Sequence, residues 1–199
     1  MTKLIDKARS VFEAHGGLLR TGEAIMAGIH PRTLYAMRKA GQVETLARGV
    51  YRLADQPPLS NPDLATVAKR IPRGVICLIS ALAFHELTTQ VPHEVHLALP
   101  RTARRPRLAY PPLRVYRFSE GTIEAGVDTH VIDGVTARIF SPEKTLADCF
   151  KYRGKIGMEI VLEALRAYRG RRPQFQRVLE YARICRVERI ARPYLEAMV

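Results

Sequence analysis

Residues 28–53 read GIHPRTLYAMRKAGQVETLARGVYRL and set a short helical pattern directly against two short strand-like ones. Pro31 stands where the first helical residue would fall, a position that tolerates proline because its missing N–H has no helical partner there. Gly41 follows Ala40 as a stop signal, since the residue just past a helix often takes a left-handed backbone. Residues 43–46 and 50–53 then read as strands around Ala47-Arg48-Gly49, a hairpin pattern. Projected at 100° per residue, Leu34 and Met37 fall on one side of the helix. Arg32, Tyr35, Ala36 and Lys39 fall on the other, with Thr33 at the margin. One face is built to dock on a core, and the other offers a guanidinium, an ammonium and a phenol.

Upstream, Leu4, Ile5, Ala8, Val11 and Phe12 form the 3.6-residue stripe of an amphipathic helix over 2–15, closed by Gly16-Gly17. Arg20-Thr21-Gly22-Glu23 opens a second short helix running to Met26, with Thr21 expected as its N-cap. Three helices and a hairpin in this order predict a winged helix-turn-helix over residues 1–55. A helix of this width enters a major groove, where an arginine binds guanine O6 and N7 in a bidentate way. Arg48, at the hairpin tip, is placed for a phosphate or the neighbouring minor groove. Arg20 and the Thr21 hydroxyl, at the start of the second helix, suit backbone positioning. The expected double-stranded DNA contacts are therefore Arg20, Thr21, Arg32, Thr33, Tyr35, Lys39 and Arg48. A solvated charged face and a protein-docking winged helix are the alternative readings of the same pattern.

The charge balance favours a polyanionic partner. The 199 residues hold 32 Lys+Arg against 19 Asp+Glu, a net +13, with an isoelectric point near 10.2. The excess is uneven: residues 1–55 carry nine basic and five acidic groups, 56–100 three of each, and 101–199 twenty and eleven. Arg101, Arg104, Arg105 and Arg107 concentrate in a Pro-punctuated loop, PRTARRPRLAYPP, as possible DNA or partner contacts. Nothing at the N-terminus reads as a secretory signal, and no apolar run approaches the ~18 residues of a membrane span. Cys77, Cys149 and Cys185 lie far apart without CxxC spacing, so they are expected as reduced core thiols in a cytoplasmic protein.

Residues 54–62, ADQPPLSNP, hold three prolines and no periodicity, so a linker is expected at 56–61 and a second domain over 62–199. There a helix is expected at 62–70, a strand at 75–79, a helix at 80–87, and strands at 93–99, 113–118, 130–132 and 135–140. Ser141 and Pro142 open a run of helices that continues over 156–168, 174–185 and 188–198. The fold class is α+β: a winged helix-turn-helix followed by a mixed α+β domain ending in helices.

Chemistry-bearing residues in this half are few. His85, Glu86, His93, Glu94 and His96 form a His-rich cluster without the spacing of a compact zinc motif, and ordinary surface and loop histidines are expected. Asp128, Asp133, Glu143 and Lys144 could compose the acidic cluster and lysine of a metal-dependent nuclease. Yet Glu143 and Lys144 stand at a helix start that favours acidic groups, and Asp133-Gly134 reads as a hairpin turn. No Walker A loop, GxGxxG or GxSxG occurs, and no catalytic residue, metal or cofactor is expected. A winged-helix-targeted nuclease stays as the alternative.

Three blocks, GGLLRTGEAIMAGIHPRTLYAMRKAGQVETLARGVYRL, VICLISALAFHELTTQVPHEVHLALP and FSPEKTLADCFKYRGKIG, span Gly16 to Gly157. Together they resemble the AbiEi family of antitoxins from type IV toxin–antitoxin and abortive-infection systems. The resemblance implies a repressor whose N-terminal winged helix binds inverted repeats in its own promoter. It also implies a C-terminal domain needed to counter a cognate nucleotidyltransferase toxin, and Arg32, Thr33, Tyr35, Lys39 and Arg48 as DNA contacts. A two-fold operator requires a homodimer or two monomers bound cooperatively.

Overall fold

The computed structural model describes residues 2–198, which fall into two compact units. The first comprises the chain up to residue 72 together with Pro106–Pro112 and His130–Ala137. It opens with α1 (Thr2–Ala14), whose Ala8 and Phe12 are buried. Gly16 and Gly17, at φ +71° and +77°, end that helix as the sequence predicts. The chain then makes a strand the sequence reading missed, β1 (Leu18–Arg20), before α2 (Thr21–Met26) and α3 (Pro31–Lys39). The hairpin follows as β2 (Val43–Ala47) and β3 (Val50–Leu53), and β1 pairs antiparallel with β3 to give the order β1-β3-β2. Leu19, Ala24, Ile29, Leu34, Met37, Val43, Tyr51 and Leu53 close one apolar core with α1. This is the winged-helix arrangement, with three helices on a small antiparallel sheet.

The same unit takes in α4 (Pro62–Arg70). Lys69 Nζ lies 2.9 Å from the Glu23 carboxylate, tying α4 to α2. Asp133, in a turn whose φ values of +49° and +77° at Asp133 and Gly134 fit a tight hairpin, accepts hydrogen bonds from Ser60 N, Ser60 Oγ and Asn61 N at 2.9, 2.9 and 3.0 Å.

The second unit holds a five-stranded mixed sheet and the C-terminal helices. Its elements are β4 (Val75–Ile76), α5 (Leu78–Phe84), β5 (Val95–Pro100), β6 (Leu113–Phe118) and α6 (Glu120–Ile123), then the start of β7 (Val127–Ile132) and the end of β8 (Val135–Phe140), whose residues 130–132 and 135–137 belong to the first unit. The strand order is β6-β5-β4-β8-β7; β5 runs parallel to β6, and β4 antiparallel to β5 and parallel to β8. The strand expected at 75–79 stops at Ile76 because Leu78 takes φ +46° and turns the chain into α5 two residues early. Helices α7 (Pro142–Lys151), α8 (Arg153–Ile156), α9 (Met158–Arg169), α10 (Phe175–Ile184) and α11 (Glu188–Glu196) complete the chain. Ser141 Oγ accepts from Lys144 N at 3.2 Å, the cap the sequence predicts. Helix α7 is central: Leu146, Ala147, Cys149 and Phe150 pack in one cluster with Val161 and Leu165 of α9 and Val178 and Ala182 of α10.

Candidate nucleic-acid interface

Helix α3 is set by its ends. His30 Nδ1 accepts from Arg32 N at 3.2 Å, Pro31 follows, and Gly41 at φ +70° lets the chain leave. Its inner face is anchored by Leu34 and Met37, 2% and 0% exposed. Arg32, Tyr35, Arg38 and Lys39 are exposed, Tyr35 by 60%. Arg38 is the residue the projection overlooked: it falls between the two faces, and only the packing of Leu34 shows which way it goes. Ala36 is half-buried rather than outward, because it borders, with Thr33 and Arg32, a cleft of about 450 Å³ whose other wall is Leu4, Ile5, Ala8 and Val11 of α1.

Among the described residues, Arg32, Arg38, Lys39 and Arg48 form no ion pair, whereas Arg9, Arg20, Arg52 and Lys69 of this unit do. Arg9 pairs with Glu13 and Asp55, Arg20 with Glu23, and the buried Arg52 with Glu44 at 2.7 Å. The Arg52 guanidinium also donates to the Pro57 carbonyl, fixing the chain that leaves the hairpin. Arg38 and Lys39 occupy the last turn of α3, where the helix dipole favours positive charge.

Arg48 sits exposed in the β2–β3 turn beside Gly49, at φ +75°. A methyl group on Gly49 would meet Thr21 Oγ1 at 3.2 Å, so the wing lies close over the start of α2. Thr21 N donates to Gly49 O at 3.0 Å, and its hydroxyl points to the same carbonyl at 3.4 Å. Thr21 is therefore the first helical residue and not the N-cap. The cap position belongs to Arg20, whose N–H donates to Glu23 Oε2 at 2.8 Å while its guanidinium meets Oε1 at 3.2 Å. Burial raises the Glu23 pKa, but the Arg20 N–H and Lys69 overcome this and hold it below the ordinary value. Arg20 and Thr21 thus build the wing–helix joint, and the open groups are on α3 and at the wing tip.

Several candidate residues of the second half, His85, His96, Glu143 and Lys144 among them, are engaged in internal contacts. His96 is a core residue, 2% exposed, which corrects the expectation of surface histidines. Its N–H donates to Ser80 Oγ at 2.9 Å, and Nδ1 lies 3.2 Å from the Tyr116 hydroxyl. Burial, then the nearby Arg114, lowers its pKa to about 4, so the ring is neutral near pH 7. His85 Nε2 lies 2.8 Å from Phe140 O. Glu143 accepts from the Tyr168 hydroxyl at 2.6 Å. Lys144, at the helix start the sequence predicts, is fully buried: its ammonium donates to Asp148 at 2.5 Å and lies 4.1 and 5.0 Å from the ring centres of Phe140 and Phe118. Among the described residues no group of three or more His, Cys, Asp or Glu side chains could hold a metal ion. The three cysteines are free and buried; burial first, then Asp148, raises the Cys185 thiol pKa to about 12, and Cys77 and Cys149 are raised as well. Arg101, Arg104, Arg105 and Arg107 are all exposed, and no described helix is long and apolar enough to cross a membrane.

No curated protein matches the chain. Among solved structures it shares a fold with the RV2827C protein from Mycobacterium tuberculosis, at 13% identity and a TM-score of 0.55, over 96% of this chain and 80% of that one. Residues 6–54, about a quarter of the chain, match the family model described as "Transcriptional regulator, AbiEi antitoxin". That segment contains α2, α3 and the wing, so the likeness to this family lies in the first unit.

Proposed function

We propose that this protein is a transcriptional regulator of the antitoxin type, a sequence-specific DNA-binding repressor in which α3 enters the major groove and the wing tip lies on the backbone or in the adjacent minor groove. The observation that carries the reading is the split of α3: Leu34 and Met37 fully packed, and Arg32, Tyr35 and Lys39 exposed without an acidic partner. A surface helix that serves only solubility gains from i, i+4 acid–base pairs. Helix α3 contains no acid, so its charge awaits one from outside.

In this reading residues 1–55 are the DNA-binding domain, 56–61 the linker and 62–199 the effector domain. Arg32, Thr33, Tyr35 and Lys39 face base edges or phosphates, Arg48 contacts backbone, and Arg20 and Thr21 hold the wing in register with α2. The operator is an inverted repeat in the protein's own promoter, occupied by a homodimer or by two cooperating monomers. The antitoxin role is to counter a nucleotidyltransferase toxin in the cytoplasm.

Two substitutions test the DNA reading. Arg32→Ala is expected to cost about 1–3 kcal/mol on the specific site and relax base preference, because a bidentate base contact is lost. Arg48→Ala is expected to weaken all sequences alike and reduce the slope of log affinity against log salt by about one phosphate's worth. Salt-dependent binding of promoter DNA by the full chain, measured by fluorescence anisotropy, reads both. Parent-like affinity and slope in both variants would remove the assignment.

A further inference from the structure

The second unit contains a concave cluster of cations that the DNA reading does not use. A cleft of about 390 Å³ is lined by Arg101, Lys151 and Arg186, with Ser119, Thr122 and Cys185 in its wall. No carboxylate lines it, and among the described residues none of the three cations forms an ion pair. The nearby Asp148 carboxylate is already hydrogen-bonded by Lys144 Nζ and Cys185 Sγ, the latter at 3.2 Å. Three like charges sharing one concavity repel one another, so the arrangement is costly until an anion neutralises it.

The backbone beneath these groups is fixed. Arg101 N donates to Phe118 O at 3.1 Å, and Arg117 Nη1 donates to Pro100 O and Ala103 O at 3.0 and 2.6 Å, pinning both sides of the turn that carries Arg101. Lys151 is the last residue of α7. Arg186 follows the C-cap of α10: its N–H donates to Arg183 O at 3.0 Å, and Val187 N donates to Ala182 O at 2.8 Å. That double bond pattern ends a helix with a left-handed residue, ordinarily glycine. Here an arginine takes φ +60°, at a conformational cost of about 1 kcal/mol or more that glycine would avoid. A charged side chain held at a position that favours glycine points to a use for the charge.

The two hydroxyls satisfy each other. Ser119 Oγ and Thr122 Oγ1 are 2.8 Å apart, and Thr122 also donates to Ser119 O at 2.9 Å. Recognition in this cleft therefore falls to the three cations, which suits a compact ligand of multiple negative charge. A duplex backbone, presenting one phosphate at a time on a convex surface, suits it less. The geometry points to a polyphosphate-binding site in the second unit, formed by Arg101, Lys151 and Arg186, that takes the di- or triphosphate group of a nucleotide-like ligand.

Calorimetric titration of the full chain with inorganic pyrophosphate, at ionic strength held constant with sodium chloride, tests the site. The expected result is saturable one-to-one binding, weakened about tenfold or more in Lys151→Gln and in Arg186→Asn, since each removes a charge-assisted contact. Asparagine tolerates the left-handed backbone, so Arg186→Asn is expected to keep the parent's thermal midpoint without ligand. Arg166→Gln, an equal loss of charge at an exposed residue of α9 outside the cleft, is expected to bind as the parent does. The site is overturned by absence of saturation at millimolar pyrophosphate, or by equal affinity in all variants. It is also overturned if Lys151→Gln lowers duplex DNA affinity while pyrophosphate fails to bind, which would make the cleft a backbone contact.

Discussion

Helices α3 and α7 begin alike and end in opposite environments. Each has a capping side chain followed by proline, His30-Pro31 and Ser141-Pro142, and each carries basic residues along its length. In α3 the cations face solvent and lack acidic partners. In α7 every residue from Glu143 to Phe150 is buried, and Lys144 is enclosed by Phe118, Phe140 and Asp148. The difference lies in what surrounds the helix. Helix α3 lies at the edge of a small core and buries one stripe, whereas α7 packs in the same cluster as residues of α5, α9, α10 and α11 and has no free side. A charge on a surface helix is available for a partner, and a charge on a surrounded helix must find its partner inside.

The same substitution in both helices should separate the two cases most widely. Lys144→Met strips the partner from a fully buried carboxylate and is expected to cost about 3–5 kcal/mol in urea unfolding. Lys144→Met/Asp148→Leu should recover most of that loss, because the uncompensated charge goes too. Lys39→Met is expected to leave stability within about 0.5 kcal/mol and to weaken DNA binding instead. A small cost for Lys144→Met, or a large one for Lys39→Met, would break the comparison.

His96 sharpens it by acidity. Its pKa falls from the ordinary 6.5 to about 4 in the fold, so below pH 6.5 the unfolded chain takes up a proton that the folded chain refuses. Stability is then full above about pH 6.5 and declines as pH falls towards 4, by about 1–3 kcal/mol for this group. His96→Gln should flatten that part of the profile, read as the difference between variant and parent in unfolding midpoints from pH 7 to pH 4.5. A modest effect belongs to the wing. Gly49→Ala places a β-carbon in a left-handed turn and 3.2 Å from Thr21 Oγ1, and is expected to cost about 1 kcal/mol while weakening DNA binding through a displaced Arg48.

Elements governed by local chemistry were legible in the sequence. The stripe of α1, the Pro31 and Gly41 limits of α3, the wing strands and the Ser141 cap stand where the residues put them. Strand β1 was not, since Leu18–Arg20 is too short to show a period and acquires its identity from β3 alone. The expected strand at 75–79 was cut short by a left-handed backbone at Leu78 that no residue type announces. His96 read as a surface histidine, and the burial of Lys144 and Asp148 was not foreseen, because burial of a charge or an imidazole depends on residues far along the chain: Phe118 and Phe140 for the lysine, Tyr116 and Ser80 for the histidine. The exposed residues of α3 were legible because one helix's periodicity contains both its anchor and its outward face. The cleft of Arg101, Lys151 and Arg186 was not, because three separate segments supply it.

Asp133 carries one more implication, for the order in which the molecule is made. The amides of Ser60 and Asn61 receive their acceptor only after some seventy further residues have been polymerised, and the N-terminal unit itself runs on through residue 137. Emergence of the winged helix from a ribosome therefore does not complete that unit; its last turn of wiring is delivered by a hairpin synthesised much later.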